Sequence, residues 1–496
     1  MTLSVKGESK LLAWHSLVYG LGNVLSHLTG LILLPLYTTY LTPFDYGTKE
    51  LIGLTTDVIG ILLGTAISEA FYRFYFDTDD EAERKLVISS SILTLASGGL
   101  IALVVLLPAS PLFAHFILDS TDFAHYFLIA FASMWFQMLN SLGFSYLRMK
   151  RQSARVVVLS LTKLAAALGL NIYFVAFRQI GVLGILLSTL ITSAAYAAIL
   201  IVPMLRYSGF SYSFAKAREL LVYGAPLILA QLASFTVHAS DRFFLKGHQG
   251  VATAGIYALG HRIGTVPAYF VSSPFNQAWL PRRMEIFRRP DAETLFGRMF
   301  TYFLALMIFA SLGISAIAYD VLRIMATEAY WSAYKIVPLV ALGQIVFSMH
   351  YHVHMGLIIE KKTKYLAAIN MVNAVVVLIL NALLIQPFGV YGAATAALIG
   401  YANKVALTYY FSSRFYAVYF EFRRILKLIA AAAIVYAATL TIHLESPYTG
   451  IVVKTTVVLC FPLLLFFSRF FTANELLYAK QVLSVLVHRC RRLCGL

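Results

Sequence analysis

The chain has 496 residues, of which 60% are hydrophobic and only 12% charged, with a net charge of +16. A soluble domain carries roughly twice that share of charged residues, so the composition excludes a water-soluble enzyme or nucleic-acid-binding domain as the bulk of the molecule. With a mean hydropathy of +0.77 and apolar runs of about 20 residues recurring from end to end, the chain reads as an all-α polytopic membrane protein. The runs are continuous rather than alternating, which excludes a β-barrel.

In chain order, about fourteen transmembrane helices are expected, over 12–40, 46–72, 86–107, 123–147, 155–177, 181–205, 219–244, 251–279, 297–318, 331–357, 365–385, 389–411, 425–443 and 449–469. The first run starts near Leu11 and passes Leu34, too long for a cleaved signal segment, and reads as a retained helix. Loops after even-numbered helices are basic, as in Arg148/Lys150/Arg151/Arg155 and Lys361/Lys362/Lys364, whereas 108–122 and Gln386-Pro387-Phe388 hold no Lys or Arg. Positive loops stay in the cytoplasm, so both termini are expected there. No connection is long enough for an inserted domain, and no phosphate-binding P-loop occurs. Of the three cysteines, Cys460 lies in an apolar run and Cys490 and Cys494 flank Arg491-Arg492, which is neither a disulfide framework nor a metal motif.

The two halves repeat. Leu17-Val18-Tyr19-Gly20 returns as Leu221-Val222-Tyr223-Gly224, Leu170-Asn171 as Leu380-Asn381, Gly181-Val182-Leu183-Gly184 as Gly389-Val390-Tyr391-Gly392, and the basic loop 148–155 as 358–365. A duplicated six-helix unit enters from the same side twice, giving two parallel six-helix bundles around a central lumen. The expected domains are an N-terminal bundle (1–210), a C-terminal bundle (211–414), two extra helices (415–472) and an amphipathic tail (473–496), whose Lys480, Arg489, Arg491 and Arg492 suit an anionic lipid surface.

Leu34-Pro35-Leu36-Tyr37, Tyr40-Leu41, Pro43 and Tyr46-Gly47, together with Asp241-Arg242-Phe243-Phe244-Leu245, Gly255-Ile256-Tyr257-Ala258-Leu259 and Pro267, resemble the hairpins of polysaccharide (O-antigen and exopolysaccharide) flippases of the multidrug/oligosaccharidyl-lipid/polysaccharide exporter superfamily. The resemblance covers the whole chain in helix count, duplication and loop pattern. It implies a V-shaped lumen and flipping of undecaprenyl-pyrophosphate-linked oligosaccharide across the bacterial inner membrane by alternating access, with no cofactor and no bond made or broken. It further implies a groove for the polyprenyl tail at the two extra helices, with polysaccharide polymerase and export machinery as candidate partners. The alternatives are a cation-coupled multidrug exporter of the same superfamily, whose lumen would favour acidic and aromatic residues, and a membrane polysaccharide polymerase or ligase, which the short outer loops disfavour.

A charge in the bilayer centre costs about 2.5–3.5 kcal/mol, so it persists where it faces water, a partner or a ligand. Lys49, Arg262, Lys163 and Lys404 are the cations placed away from the loops, and are the candidate substrate-binding residues. Against this stand structural pairing for Lys49 and Arg262, although Glu50 is expected to point away from Lys49, and snorkelling to an interface for Lys163 and Lys404. Asp241 and Arg242 read as an interfacial ion pair or gate at the outer end of the seventh helix, or Asp241 as a proton or cation site. Asp57 either pairs with a lumen cation or carries a coupling proton. In 349-MHYHVHM-355, His350 and His354 share a helix face while His352 points away; this reads as polar lining rather than a metal site. Pro35, Pro226, Pro267 and Pro274 fall inside predicted helices, as hinges or static bends.

Overall fold

The structure is a computed structural model and describes residues 30–473 and 475; the amphipathic tail and the first part of the first helix lie outside them. All regular structure among the described residues is helical. Ten stretches there are long and apolar enough to cross a membrane, against the fourteen crossings expected. Two of the ten are too long for one crossing: Phe214–Ile286 has 73 residues and Thr363–Ser412 has 50. At 1.5 Å per residue the longer would run about 110 Å, several times the roughly 30 Å hydrocarbon core.

Each doubles back at a glycine with positive φ, Gly250 (85°) and Gly389 (55°). The return is visible in side-chain contacts. The Tyr257 hydroxyl donates to the Asp241 carboxylate at 2.6 Å across 16 residues, and Asn403 donates to Asn373 at 3.0 Å across 30. On straight helices those pairs would lie about 24 and 45 Å apart.

The elements are labelled α1 (Gly30–Tyr40), α2 (Pro43–Phe76), α3 (Glu81–Leu106), α4 (Thr121–Met149), α5 (Ser153–Phe177), α6 (Gly181–Ser208), α7 and α8 (214–249 and 251–286), α9 (Ala292–Met325), α10 (Glu328–Ile359), α11 and α12 (363–388 and 390–412), α13 (Phe422–Leu440) and α14 (Pro447–Phe467). The 108–122 connection, expected as a loop, holds a short helix, Ser110–Leu118, ended by Asp119 in a left-handed conformation. Lys246 near the Gly250 turn donates to that Asp119 at 2.7 Å.

The repeat is written in the backbone. Gly47 and Gly255 lie 208 residues apart, as do Pro43 and Val251. A Cβ on Gly47 would sit 2.1 Å from the Val251 carbonyl oxygen, and a Cβ on Gly255 would sit 2.3 Å from that of Pro43. Such reciprocal contacts are the signature of a two-fold relation, here between α2 and α8, which cross backbone to backbone. Both helices then loosen into one π-helical turn at matching places, Ile61–Thr65 and Ala268–Ser272. Gly181 and Gly389, also matched, share a positive φ of 58° and 55°. Asn171 donates to Ser188 and accepts from Tyr37, tying α5 to α6 and α1; its counterpart Asn381 donates to Ser240, tying α11 to α7.

The prolines divide by context. Pro267 and Pro274 bracket the π turn of α8, Pro35 follows a break at Leu33, and Pro226 sits in unbroken helix.

The extra pair, α13 and α14, packs on α9 through Leu304, Ile308, Val435, Val458 and Phe461. A buried Asp320–Lys454 ion pair at 2.7 Å fixes α14 to α9, and Gly450 leaves room for the Asp320 carboxylate, whose oxygen is 2.6 Å from where a Cβ would stand.

The ends of the molecule differ. One end collects the basic loops: Lys150 reaches the rings of Tyr75, Tyr146 and Tyr207, and Gly356 accepts the close approach of Ser412. The other carries the Gly250 and Gly389 turns. They are called here the basic end and the hairpin end.

Candidate functional site

A cavity of about 920 Å³ lies between the halves, walled among the described residues by α1, α2, α7, α8 and α10. On α8 its lining runs from Ala258 to Arg283, and on α10 from Gln344 to Ile358, so it extends toward the basic end. Toward the hairpin end its lining on α2 and α8 stops at Glu50 and Ala258, about one turn short of the α2–α8 glycine crossing. The α8 wall is a polar stripe on one helix face: His261 and Arg262, Thr265, Tyr269, Ser272 and Ser273, Asn276 and Gln277, then Arg283. Steps of three and four residues put these groups in line, with the apolar Leu280 between Gln277 and Arg283, while the opposite face keeps Leu259 and Ile263 in the core.

Arg262 lines the cavity, its guanidinium packed over Gly30 of α1, where a Cβ would come within 3.2 Å of a terminal nitrogen. Arg242 also lines it. Asp241 and Arg242 form an ion pair at 2.7 Å, each residue only 5% exposed, with the Tyr257 hydroxyl closing on Asp241 and the His238 carbonyl accepting from Arg242. The interfacial placement expected for this pair is therefore corrected. The seventh helix runs on to Gly250 instead of ending near 244, which puts the pair about 13 Å below the turn. Asp57 lines the cavity on α2, and so does Glu50.

Lys49 is not among the lining residues. Its ammonium lies 3.7 Å from Glu50 and over the rings of Tyr37 and Tyr46 at 5.8 and 5.4 Å. Consecutive Cβ atoms on a helix diverge, but the flexible lysine stem folds back to the neighbouring carboxylate, so the expectation that Glu50 points away is also corrected. Lys404 stands behind the wall, over the ring of the lining residue Phe347 at 5.3 Å. Lys163 is half-buried on α5 and is not among the lining residues.

On α10, the rings of His350 and His354 lie 5.2 Å apart at a tilt of 39° and His354 reaches the cavity, while His352 is sealed among Phe275, Phe300 and Phe303. Among the described residues no cluster of three metal-ligating side chains occurs.

Sequence reasoning missed Glu50, His238 and Arg283 as cavity groups. The three-and-four spacing of polar residues along α8 was a usable signal for Arg283. Nothing in the sequence marks His238, because its placement depends on how α7 packs beside α10. The wall thus carries three guanidinium groups, Arg242, Arg262 and Arg283, against two carboxylates, Glu50 and Asp57. Arginine offers a planar fork of donors that fits phosphate oxygens two at a time, so the arrangement suits an anion larger than a single ion.

Beside this cavity lies a separate, almost wholly apolar groove of about 640 Å³ between α9, α10 and α13, with Leu312, Ile345, Met349 and Ala432 among its walls.

A family model described as polysaccharide biosynthesis protein matches residues 13–287, more than half of the chain. No curated protein sequence matches significantly. Among solved structures, the chain is similar to the lipid II flippase MurJ in an inward closed conformation, with a TM-score of 0.72 and 15% identity over 92% of this chain and 99% of that one. It is also similar to an inward-facing multidrug resistance MATE family transporter of the MOP superfamily, with a TM-score of 0.61 and 14% identity over 78% of this chain and 94% of that one. A mutant of the Vibrio cholerae MATE transporter VcmN follows at 0.55 and 17%, over 82% of this chain and 97% of that one. At such identities the likeness establishes a shared fold.

Proposed function

The chain belongs to the polysaccharide biosynthesis protein family, and from that membership and the charge of the cavity we propose that it flips a lipid-linked glycan across the bacterial inner membrane. The substrate in this reading is an undecaprenyl-pyrophosphate-linked oligosaccharide repeat unit. Its pyrophosphate meets Arg262 and Arg242, its sugars occupy the polar stripe of α8, and its tail lies outside in lipid, with the apolar groove beside α13 as the place for it. The basic end faces the cytoplasm by the positive-inside rule, which puts both termini there. The substrate enters from that side, and the bundles rock about the α2–α8 crossing to release it on the other. No covalent bond changes. Asp57, which lines the cavity, is the carboxylate available to a coupling ion, and Asp241, held by Arg242 and Tyr257, acts in closure. The tail's basic residues serve anionic lipid, and polymerase and export machinery take the product. Lys49, Lys163 and Lys404 tune the field from behind the wall rather than touching the headgroup.

The observation that carries this reading is an arginine-lined cavity between two related bundles. The guanidinium forks of Arg262 and Arg283 donate to anions and offer a cationic drug no acceptor, which disfavours the multidrug alternative. The test is the leaflet distribution of lipid-linked repeat units in a deletion strain, which should accumulate them on the cytoplasmic side. A gene encoding Arg262→Ala should fail to clear them, with flux down about tenfold or more, the cost of a charge-assisted hydrogen bond of roughly 1.5–3 kcal/mol, and Arg262→Lys should restore part. Full clearance by both variants removes Arg262 from the site; no accumulation in the deletion strain removes the function.

A further inference from the structure

The end of α8 and the turn after it carry four arginines in eight residues, Arg282, Arg283, Arg288 and Arg289. Three behave as loop charges. Arg282 pairs with Glu285 at 2.7 Å and Arg289 with Asp291 at 3.3 Å, all well exposed, and Arg288 stays at the surface. Arg283 does the opposite. It is 2% exposed, lines the cavity, and among the described residues has no carboxylate within ion-pair distance. One terminal nitrogen donates to the Tyr351 carbonyl oxygen of α10, and its buried Nε has no partner there. The same cavity wall holds Gln277, less than two turns back on α8, and Ser348 and His354 on α10, and the Ser348 Oγ, which can donate, is also buried without a partner among the described residues. A buried, unpaired guanidinium costs several kcal/mol, and one hydrogen bond to a neutral carbonyl does not offset it. An anion would.

The pyrophosphate does not serve. Arg262 and Arg283 are 21 residues apart on one helix, about 30 Å along its axis. A headgroup held at Arg262 leaves Arg283 empty.

We propose that Arg283, with Gln277 and Ser348, forms a second anion subsite that takes a carboxylate on the glycan itself, making the protein selective for acidic repeat units. The assignment rests on the flippase reading and adds the class of sugar. The headgroup binds deep, at Arg262, and the oligosaccharide lies along the α8 stripe toward the basic end, so that an acidic ring comes to Arg283. Arg283 then acts as a specificity-determining residue, not as part of the headgroup site.

The test uses the purified full chain in nanodiscs, with two probes measured by calorimetry: inorganic pyrophosphate, and trigalacturonate against its neutral methyl ester. Wild type should bind trigalacturonate about tenfold more tightly than the ester, the scale of one charge-assisted contact. Arg283→Gln keeps a donor for the Tyr351 carbonyl but loses the charge; it should erase that preference, leave pyrophosphate affinity unchanged and melt no lower than wild type, since the cost of the buried charge is gone. Arg283→Lys should keep the preference. Arg262→Gln should weaken pyrophosphate and spare it. The proposal is overturned if wild type does not distinguish acid from ester, if Arg283→Gln preserves the distinction, or if it weakens both probes alike. Wild type that prefers the acid through Arg283 but ignores pyrophosphate would instead sink the headgroup assignment and leave this subsite standing.

Discussion

α2 and α8 have the same backbone and opposite chemistry. Each begins beyond a turn, packs a glycine against the other's first turn, and opens into a π-helical turn at a matching depth. Yet at the shared offset of 208, Leu54 corresponds to Arg262, Gly53 to His261, Asp57 to Thr265 and Glu50 to Ala258. The acids of the cavity are on α2 and its basic groups are concentrated on α7 and α8. Duplication supplied two equivalent walls, and side-chain divergence made one acidic and one basic. A π turn widens the helix locally and is frequent at functional sites; here the turn of α8 is part of the cavity wall, through Ala268, Tyr269 and Ser272, while that of α2 lies beyond the cavity lining.

The sharpest way to break the comparison is through its two ion pairs. Asp241–Arg242 is buried and closed by Tyr257, whereas Lys49–Glu50 is longer, at 3.7 Å, with about a fifth of each side chain exposed. Arg242→Met strands a buried carboxylate and should cost about 3–5 kcal/mol of unfolding free energy in detergent. Lys49→Met leaves Glu50 facing the cavity and should cost about 1 kcal/mol or less. Equal losses would mean that the two halves hold their charges alike.

A smaller effect tests the symmetry directly. Gly47→Ala and Gly255→Ala each place a Cβ within 2.3 Å of the partner helix's carbonyl oxygen, an overpacking worth about 1–3 kcal/mol. Because the contacts are reciprocal, the two variants should destabilise by similar amounts. The double variant should lose less than the sum, since the first forced separation makes room for the second. Strict additivity, or a large difference between the single variants, would show that the crossing is not a shared two-fold contact.

Much of this was legible in the sequence, for reasons that differ by residue. Apolar run length gave the helical membrane class, and matched glycines such as Gly181 and Gly389 gave the repeat, because only a positive φ at both sites demands glycine twice. Arg262 was legible as a charge in an apolar helix. The burial of Asp241–Arg242 was not, since it depends on α7 continuing five residues beyond its predicted end. Arg283 was hidden because the expected helix ended at 279: the polar spacing along α8 points to it only once the helix is known to run on to 286, and without that it is one of a run of basic loop residues. Lys49 was misplaced because helical angles fix Cβ directions and not where a four-carbon stem ends.

The smallest predicted difference concerns the matched asparagines. Asn171 accepts from the buried Tyr37 hydroxyl at 2.8 Å and donates to Ser188 and the Ala167 carbonyl. Asn381 donates to Ser240 at 3.0 Å, and its Oδ1 has no partner among the described residues. Truncation to alanine opens the same volume at both sites, so the transfer and cavity costs cancel in the comparison. What differs is what is left behind. Asn171→Ala orphans a buried phenol, a penalty of about 1–3 kcal/mol. Asn381→Ala leaves Ser240 still bonded to the Thr236 carbonyl. Asn171→Ala should therefore be the more destabilising by about 1 kcal/mol. Adding Tyr37→Phe to it removes the orphaned hydroxyl and should recover that difference in a double-mutant cycle. A cycle with no coupling would mean that the Tyr37–Asn171 bond does not hold α1 to α5, and that the two halves are anchored by packing alone.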